Sequence, residues 1–249
     1  MCELFGFCAA RHEDIRGQLR EFFSHSKDNP HGFGLMCEGK LYREAARADM
    51  SGTLSTIIDT LPPQKAMLAH IRFATVGSVK VENCHPFVGR DITGREWTLI
   101  HNGTIYSGSR LVNGVYRQKG DTDSERLFIY MIDKLNKAQQ NADLCAKERF
   151  ELIDRIVVSL SPRNKLNLII YDGELMYVHK NMRDTLSLKR TDSGVVFATK
   201  PLDDGAWEDV PLSQLVAYKN GEHILTGLAH GAVFEPALSH ITVNDAMNI

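Results

Sequence analysis

The chain has 249 residues, 43% of them hydrophobic and 24% charged, which is an ordinary composition for a globular protein. Its 29 basic and 31 acidic residues give a formal net charge of −2, so no basic excess is available to neutralise a nucleic-acid backbone, and we expect no nucleic-acid partner. The five cysteines are odd in number and form no CxxC pair, which argues against both a disulfide framework and a zinc site.

No segment approaches the ~20 consecutive apolar residues that a helix needs to cross a bilayer. The apolar N-terminal stretch lacks a basic leader, is interrupted by Gly6 and ends at Arg11, so its pattern is not that of a signal peptide. We therefore expect a reduced, cytoplasmic protein with no membrane span.

The predicted elements mix helices with hairpins. In chain order they are a helix at 15–22, a hairpin at 34–43, a helix at 50–61, strands at 66–74 and 97–101, helices at 124–136 and 147–160, a hairpin at 167–178, a strand at 194–198 and a hairpin at 216–225. Because strands and helices do not alternate regularly, the pattern predicts an α+β fold rather than a parallel Rossmann-type sheet. We see no linker or repeat, and we predict a single domain over residues 1–249.

Cys2 is a candidate nucleophile because of its position. An initiator methionine before a small residue is commonly cleaved, which would leave a thiol and a free α-amine on one residue. An α-amine, with a pKa of ~7.7–8.0, is partly unprotonated at neutral pH, so it could take the thiol proton and return it to a leaving amine. A cysteine at position two is usually incidental, however, so position alone does not decide.

Two further candidates end predicted strands. The guanidinium of Arg72 suits a carboxylate, although a solvated or salt-bridged arginine is the simpler interpretation of a strand end. Asn102 can offer a side-chain NH₂ and Gly103 a backbone N–H, which together would form an oxyanion hole. The same Asn-Gly dipeptide is equally typical of a turn.

Asp123 lies at the start of the predicted 124–136 helix. Thr122 and Glu125 match a capping box, and a carboxylate in the first turn is sufficiently explained by the helix dipole. A carboxylate fixed at that place could also hold a substrate ammonium.

Taken together, these blocks resemble the class-II glutamine amidotransferases, which belong to the N-terminal-nucleophile hydrolases. The resemblance rests on four ordered motifs: Met-Cys-Glu-Leu-Phe-Gly at 1–6, His-x-Arg-x-Ala-Thr-x-Gly at 70–77, His-Asn-Gly at 101–103 and Asp-Thr-Asp-Ser-Glu at 121–125. Two more blocks, at 29–34 and 83–87, resemble the compact, stand-alone YafJ-like group.

The resemblance implies a four-layer α/β/β/α sandwich of the N-terminal-nucleophile hydrolase type. It implies that Cys2 is the nucleophile, with its α-amine as the base, and that Asn102 and the Gly103 N–H form the oxyanion hole. The substrate-binding residues would be Arg72 for the α-carboxylate of glutamine, Asp123 for its α-ammonium, and Thr75. His85 and the glycines of the 29–34 block are expected to be architectural.

The activity that the resemblance implies is hydrolysis of the side-chain amide of glutamine through a γ-glutamyl thioester, with release of ammonia and without a cofactor or metal. The alternatives are hydrolysis of another γ-glutamyl amide or peptide, a non-catalytic glutamine-binding regulatory subunit and a metal-dependent hydrolase. Two departures from the larger synthases stand out. Val76 occupies a position where they often have histidine, and they carry a second domain that uses ammonia, so we expect any acceptor here to be a separate protein.

Overall fold

Two antiparallel β-sheets face each other in the computed structural model, which describes residues 1–37, 39–107 and 109–236. The strands in these ranges are β1 (Glu3–Glu13), β2 (Phe33–Cys37), β3 (Lys40–Glu44), β4 (Gln64–Ile71), β5 (Phe87–Arg90), β6 (Glu96–Thr104), β7 (Lys165–Tyr171), β8 (Met176–His179), β9 (Ser187–Arg190), β10 (Gly194–Ala198), β11 (Glu208–Asp209), β12 (Val216–Lys219) and β13 (Glu222–Thr226). The α-helices in these ranges are α1 (Arg16–Ser24), α2 (Gly52–Thr60), α3 (Asp123–Ala138) and α4 (Ala146–Leu160).

The first sheet has the order β11-β9-β10-β1-β4-β2-β3, and the second has the order β13-β12-β8-β7-β6-β5. In the first sheet, β1 is central and pairs antiparallel with both β4 and β10. In the second sheet, β6 and β7 pair over seven residues, from Thr98 opposite Tyr171 to Thr104 opposite Lys165. Because β1 and β4 are antiparallel, the start of β1 and the end of β4 lie side by side at the same end of the first sheet.

Three buried clusters define four layers. Helices α1 and α2 pack on the outer face of the first sheet, where Phe22 and Leu54 belong to the same buried cluster as Phe5. Helices α3 and α4 cover the second sheet, and a third cluster fills the space between the two sheets. The predicted α+β class and the four-layer α/β/β/α sandwich are thus confirmed.

Strand β1, which the sequence analysis did not assign, is buried on both faces. Phe5 and Phe7 point toward the helices, whereas Leu4 and Cys8 point toward the second sheet. Because both faces are covered, the strand lacks the alternation of polar and apolar residues that marks a half-exposed strand.

The predicted helices correspond to α1–α4. Each predicted hairpin is present, and the loop of one of them, β7–β8, differs in length from the prediction. In the hairpin β7–β8 the loop has four residues, 172–175, rather than two. The reason is Asp172, whose carboxylate accepts hydrogen bonds from the N–H groups of Glu174 and Leu175 and holds them out of the strand. In the hairpin β12–β13, the predicted two-residue turn is present, with φ of 52° at Asn220 and 80° at Gly221. Strands β5, β9 and β11 were not predicted.

None of the helices in the described ranges has both the length and the apolar character that a membrane crossing demands.

Candidate active site

Four inward-facing side chains converge at one end of the space between the sheets. Side chains alternate faces along a strand, so residues an even number of positions apart share a face. The residues that face the opposite sheet include Leu4, Leu68, Ile100 and Ile169. By this alternation, the side chains of Cys2 and Arg72 point from the first sheet toward the second. Those of Asn102 and Lys165 point from the second sheet toward the first, at the same end of the sandwich.

Cys2 lies immediately before β1 and is bound to the backbone that follows β4. Its thiol donates to the Phe73 carbonyl over 3.4 Å, and the Phe73 N–H donates to its sulfur over 3.2 Å. The pairing of Glu3 with Ile71 sets this register. The sulfur is thus held beside residues 72 and 73 by main-chain contacts that do not depend on neighbouring side chains.

The residue after the thiol anchors the start of β1. The buried carboxylate of Glu3 lies 2.7 Å from His25 Nδ1 and 2.7 Å from Lys200 Nζ, and it accepts a hydrogen bond from Asn29 over 3.3 Å. Since Asn29 opens the 29–34 block, that motif helps to position the N-terminus.

Burial and the neighbouring charges have opposite effects on the pKa of the Cys2 thiol. Burial is the largest effect and raises the pKa of the Cys2 thiol above its usual value, and the Phe73 N–H, the N-terminal ammonium of Met1, Arg72 and Lys165 offset only part of this rise. Two of the three cationic groups are side chains that face the same space, so the site is electropositive where a thiolate would form.

Arg72 is 3% exposed, and its guanidinium holds the loop that follows β4. Nη1 donates to the Ser78 carbonyl over 3.0 Å, and Nη2 donates to the carbonyls of Val76 and Gly77 over 2.9 and 3.2 Å. A bidentate grip on a carboxylate would have to replace part of this set, because Nη2 is already engaged with two acceptors. The role of Arg72 in substrate binding stays a prediction.

The loop that Arg72 holds is tied to the segment before α3. Asp121 accepts hydrogen bonds from the N–H and hydroxyl of Ser78 over 3.1 and 2.9 Å. Asn83, in the 83–87 block, donates to both the Ser78 carbonyl and Asp121 and accepts from the Asp121 N–H. These contacts join two of the sequence motifs into one rim. Thr75 lies exposed on this loop, and its side chain has no hydrogen-bond partner among the described residues.

Asn102 and Gly103 lie within β6, not in a turn. Asn102 is 2% exposed, and its Oδ1 accepts a hydrogen bond from Lys165 Nζ over 3.1 Å. Its Nδ2 is buried and has no acceptor within the described part of the chain. A buried amide donor without a partner is costly, and this one lies on the same inner face as Cys2.

Gly103 is required by packing between strands. A Cβ at this position would stand 1.9 Å from the Lys165 carbonyl oxygen and 2.3 Å from His101 Nε2. The glycine is thus explained without a ligand, and the N–H role assigned to Gly103 stays a prediction.

Gly103→Ala is therefore expected to lower the free energy of unfolding by about 1–3 kcal/mol, because β6 and β7 would have to separate locally. Denaturant unfolding followed by circular dichroism measures this change. Gly17→Ala in α1 is the matched control, since a Cβ there meets nothing within 4 Å; it should leave stability unchanged or raise it by up to about 1 kcal/mol. Equal stabilities of the two variants would contradict the packing argument.

Asp123 is the first residue of α3 and is almost fully buried. Its Oδ2 accepts a hydrogen bond from the Ile105 N–H over 2.6 Å, which links it to the chain just beyond β6, and Oδ1 accepts from the Ser124 N–H over 3.0 Å. A carboxylate has about four acceptor positions, so capacity remains for an ammonium.

The capping box predicted beside Asp123 is half formed. Thr122 accepts a hydrogen bond from the Glu125 N–H, but the Glu125 carboxylate binds the N–H groups of Lys119 and Gly120 instead of the N-cap nitrogen.

Three buried histidines lie close to the inner residues of the site. His70 and His85 have ring centroids 4.2 Å apart, and His70 Nε2 lies 3.2 Å from the His101 carbonyl oxygen. Burial lowers the pKa of His70 to about 3 and also lowers the pKa values of His85 and His101. All three rings are therefore neutral near pH 7 and add no positive charge beside Arg72.

The glycines of the 29–34 block serve packing. A Cβ on Gly32 would stand 2.4 Å from Cys84 Sγ, and one on Gly34 would stand 2.3 Å from the His85 carbonyl oxygen. This close approach supports the architectural role expected for the two blocks. Within the described ranges, no three His, Cys, Asp or Glu side chains are grouped so that they could hold a metal ion.

Sequence reasoning missed Lys165, the first residue of β7. It is 6% exposed, and its Nζ lies 3.1 Å from both Asn102 Oδ1 and Met1 Sδ. One signal could have found it: Lys165 and Asn167 occupy alternate positions before Ile169, which places a lysine on the inner face of an apolar strand.

The fold is that of the N-terminal-nucleophile hydrolases. It matches the crystal structure of a "predicted glutamine amidotransferase" from Pseudomonas aeruginosa with a TM-score of 0.63 and 20% identity, over 90% of this chain and 100% of that one. Residues 1–191 match the family model for class-II glutamine amidotransferases. The chain belongs to this family and is an enzyme of its class.

Two curated relatives show the range of the family. The chain is 29% identical over 186 residues to the putative glutamine amidotransferase YafJ of Escherichia coli, with 72% of each chain covered, which supports the YafJ-like group. It is 26% identical over 165 residues to the gamma-glutamyl-hercynylcysteine sulfoxide hydrolase of Mycolicibacterium smegmatis, over 66% of this chain and 65% of that protein.

Proposed function

We propose that this protein hydrolyses the side-chain amide of glutamine through a thioester on Cys2 and releases ammonia. The observation that carries the proposal is the buried Nδ2 of Asn102, which lacks an acceptor among the described residues. The other end of the same amide contacts Lys165, whose ammonium interacts electrostatically with Cys2. A carbonyl oxygen that becomes negatively charged during attack by the thiol would supply the missing acceptor.

The reaction needs a base on Cys2. In the processed protein the α-amine takes the thiol proton, and the sulfur attacks the side-chain carbonyl carbon of glutamine. A carbon–sulfur bond forms while the carbonyl electron pair moves to oxygen, where the Asn102 NH₂ and the Gly103 N–H donate to it. The carbon–nitrogen bond then breaks, and the α-ammonium returns its proton to the leaving nitrogen. Water attacks the thioester next and yields glutamate and the free thiol.

Removal of Met1 is part of the proposal. In the structure Met1 precedes Cys2, so the nitrogen of Cys2 is a peptide nitrogen and cannot act as the base. Met1 is 61% exposed, which makes it accessible to an aminopeptidase. Its sulfur contacts Lys165, so it lies within the site, and its removal would also free space beside the thiol.

We assign substrate recognition to Asp123 at the start of α3 and to Arg72 and Thr75 at the end of β4 and in the loop after it. Asp123 retains acceptor capacity for the α-ammonium, and Arg72 is the cation for the α-carboxylate, after exchange of some of its bonds to the 76–78 loop. Thr75, exposed on the same loop, is a further contact.

We also propose that residues 1–249 form one domain, of which residues 38, 108 and 237–249 lie outside the described ranges. We propose further that the protein works in a reducing cytoplasm and that the ammonia acceptor is a separate synthase protein. A core shared by both sheets supports the first point, and five free cysteines support the second.

A second candidate function is hydrolysis of another γ-glutamyl amide. The observation that favours it is the similarity to the gamma-glutamyl-hercynylcysteine sulfoxide hydrolase. The head group of any γ-glutamyl compound is the same as that of glutamine, so Arg72 and Asp123 would bind both classes.

Intact mass spectrometry before and after incubation with 6-diazo-5-oxo-norleucine tests the nucleophile. We expect a mass without Met1 and one adduct that maps to Cys2. A processed protein that binds glutamine but stays unlabelled would overturn the proposal in favour of a regulatory subunit. Comparison of kcat/KM for glutamine and for a panel of γ-glutamyl amides then decides between the two substrates.

A further inference from the structure

The contact between Lys165 and Asn102 selects one orientation of the Asn102 amide. The oxygen and nitrogen ends of a carboxamide have nearly the same shape, so the group could be rotated by 180° in its pocket. An ammonium can only donate hydrogen bonds, so only the oxygen end can face it. Lys165 Nζ lies 3.1 Å from Asn102 Oδ1, and the NH₂ end is therefore directed away from the lysine.

We propose that Lys165 is a positioning residue that holds the NH₂ group of Asn102 toward the oxygen that becomes charged during acyl transfer. This inference rests on the proposed function, because it assigns Asn102 to that oxygen. Both side chains are almost fully buried, so water competes little for the lysine.

The lysine charge has a second effect on the same amide. A cation bound to the carbonyl end of an amide withdraws electrons from its NH₂ group, and this polarisation strengthens the hydrogen bond that the NH₂ donates. Burial lowers the pKa of Lys165, while the nearby Cys2 raises it. Deprotonation of Lys165 at high pH would remove its charge and weaken its hold on the orientation of the Asn102 amide. Lys165 should therefore contribute to the fall in rate on the alkaline side of the pH profile.

Processing leaves this arrangement intact. The other contact of Lys165 Nζ is with Met1 Sδ. Once Met1 is removed, Asn102 Oδ1 is the acceptor that remains in the described structure, and the ammonium still faces Cys2.

The test uses the full chain with Met1 removed, as verified by intact mass. Lys165→Met should lower kcat by about 10- to 100-fold, because a small misplacement of a reacting group has effects of this size. KM should change less than about threefold, and the alkaline limb of the pH profile should shift. Lys165→Arg, which also only donates hydrogen bonds, should recover most of the rate.

Two comparisons separate positioning from a general loss of structure. Lys180→Met removes another fully buried lysine, one that pairs with Asp209, and it should keep the wild-type kcat. In the background of Asn102→Ala, the Lys165→Met change should cause little further loss. A multiplicative loss in the double variant, or a wild-type rate in Lys165→Met, would overturn the proposal.

A readout without turnover keeps this test distinct from that of the proposed function. The Asn102 side-chain NH₂ gives a pair of proton correlations at one ¹⁵N shift, which can be assigned by its absence in Asn102→Ala. We expect one sharp pair in the wild type and a broadened pair, or more than one pair, in Lys165→Met. Identical signals in both proteins would overturn the role of Lys165, whether or not glutamine is a substrate. A wild-type protein that is inactive and unlabelled, with the expected spectral change, would overturn the proposed function and leave standing only the orientation of the Asn102 amide by Lys165.

Discussion

Cys2→Ala should abolish hydrolysis of glutamine, with kcat lower by about 10⁴- to 10⁶-fold, as is typical when a nucleophile is removed. The variant has no thiol to form the thioester, while its α-amine and the rest of the site persist. Glutamine should still bind, because Arg72 and Asp123 are unchanged. Ammonia release measures the rate, and calorimetry measures glutamine binding.

The matched control is Cys145→Ser. Cys145 is an exposed free cysteine that caps α4, and serine is a favourable residue at an N-cap. This variant should keep the wild-type rate and stability. A Cys2→Ala protein with more than about a hundredth of the wild-type activity would show that another group attacks the substrate.

Asn102→Ala is expected to lower kcat by about 10²- to 10³-fold, the usual loss when one donor of an oxyanion hole is removed. KM should change much less, because the NH₂ group interacts most strongly with the oxygen once it is charged. The variant also leaves Lys165 without its partner oxygen, so some loss of thermal stability is expected. Steady-state kinetics on protein shown by circular dichroism to be folded provides the measurement.

Asn136→Ala is the control for this change. The Asn136 side chain accepts a hydrogen bond from the Ile92 N–H, and the residue lies thirteen positions after Asp123 along α3, roughly 20 Å away. Its loss should affect stability and leave kcat unchanged. A near-wild-type kcat for Asn102→Ala would rule out the assignment of Asn102 to the oxyanion.

Much of the fold followed from local pattern. Helical spacing predicted α1–α4, and Gly-containing turns predicted three hairpins, because these features depend on neighbours in the chain. Strand β1 escaped prediction since its two faces are buried in different cores, which removes the alternation. The loop between β7 and β8 was misjudged because Asp172 binds two backbone N–H groups, an interaction that a turn dipeptide does not reveal.

By itself the sequence determined the class of the protein and its candidate nucleophile, since ordered motifs and the position of Cys2 are properties of the chain. Only the tertiary structure decided how the candidates are engaged. Arg72 donates hydrogen bonds to carbonyls of the 76–78 loop, and Asn102 accepts one from a lysine 63 residues away. The contact between Asn102 and Lys165 depends on which faces of β6 and β7 turn inward and on their register, and no local pattern encodes that pairing.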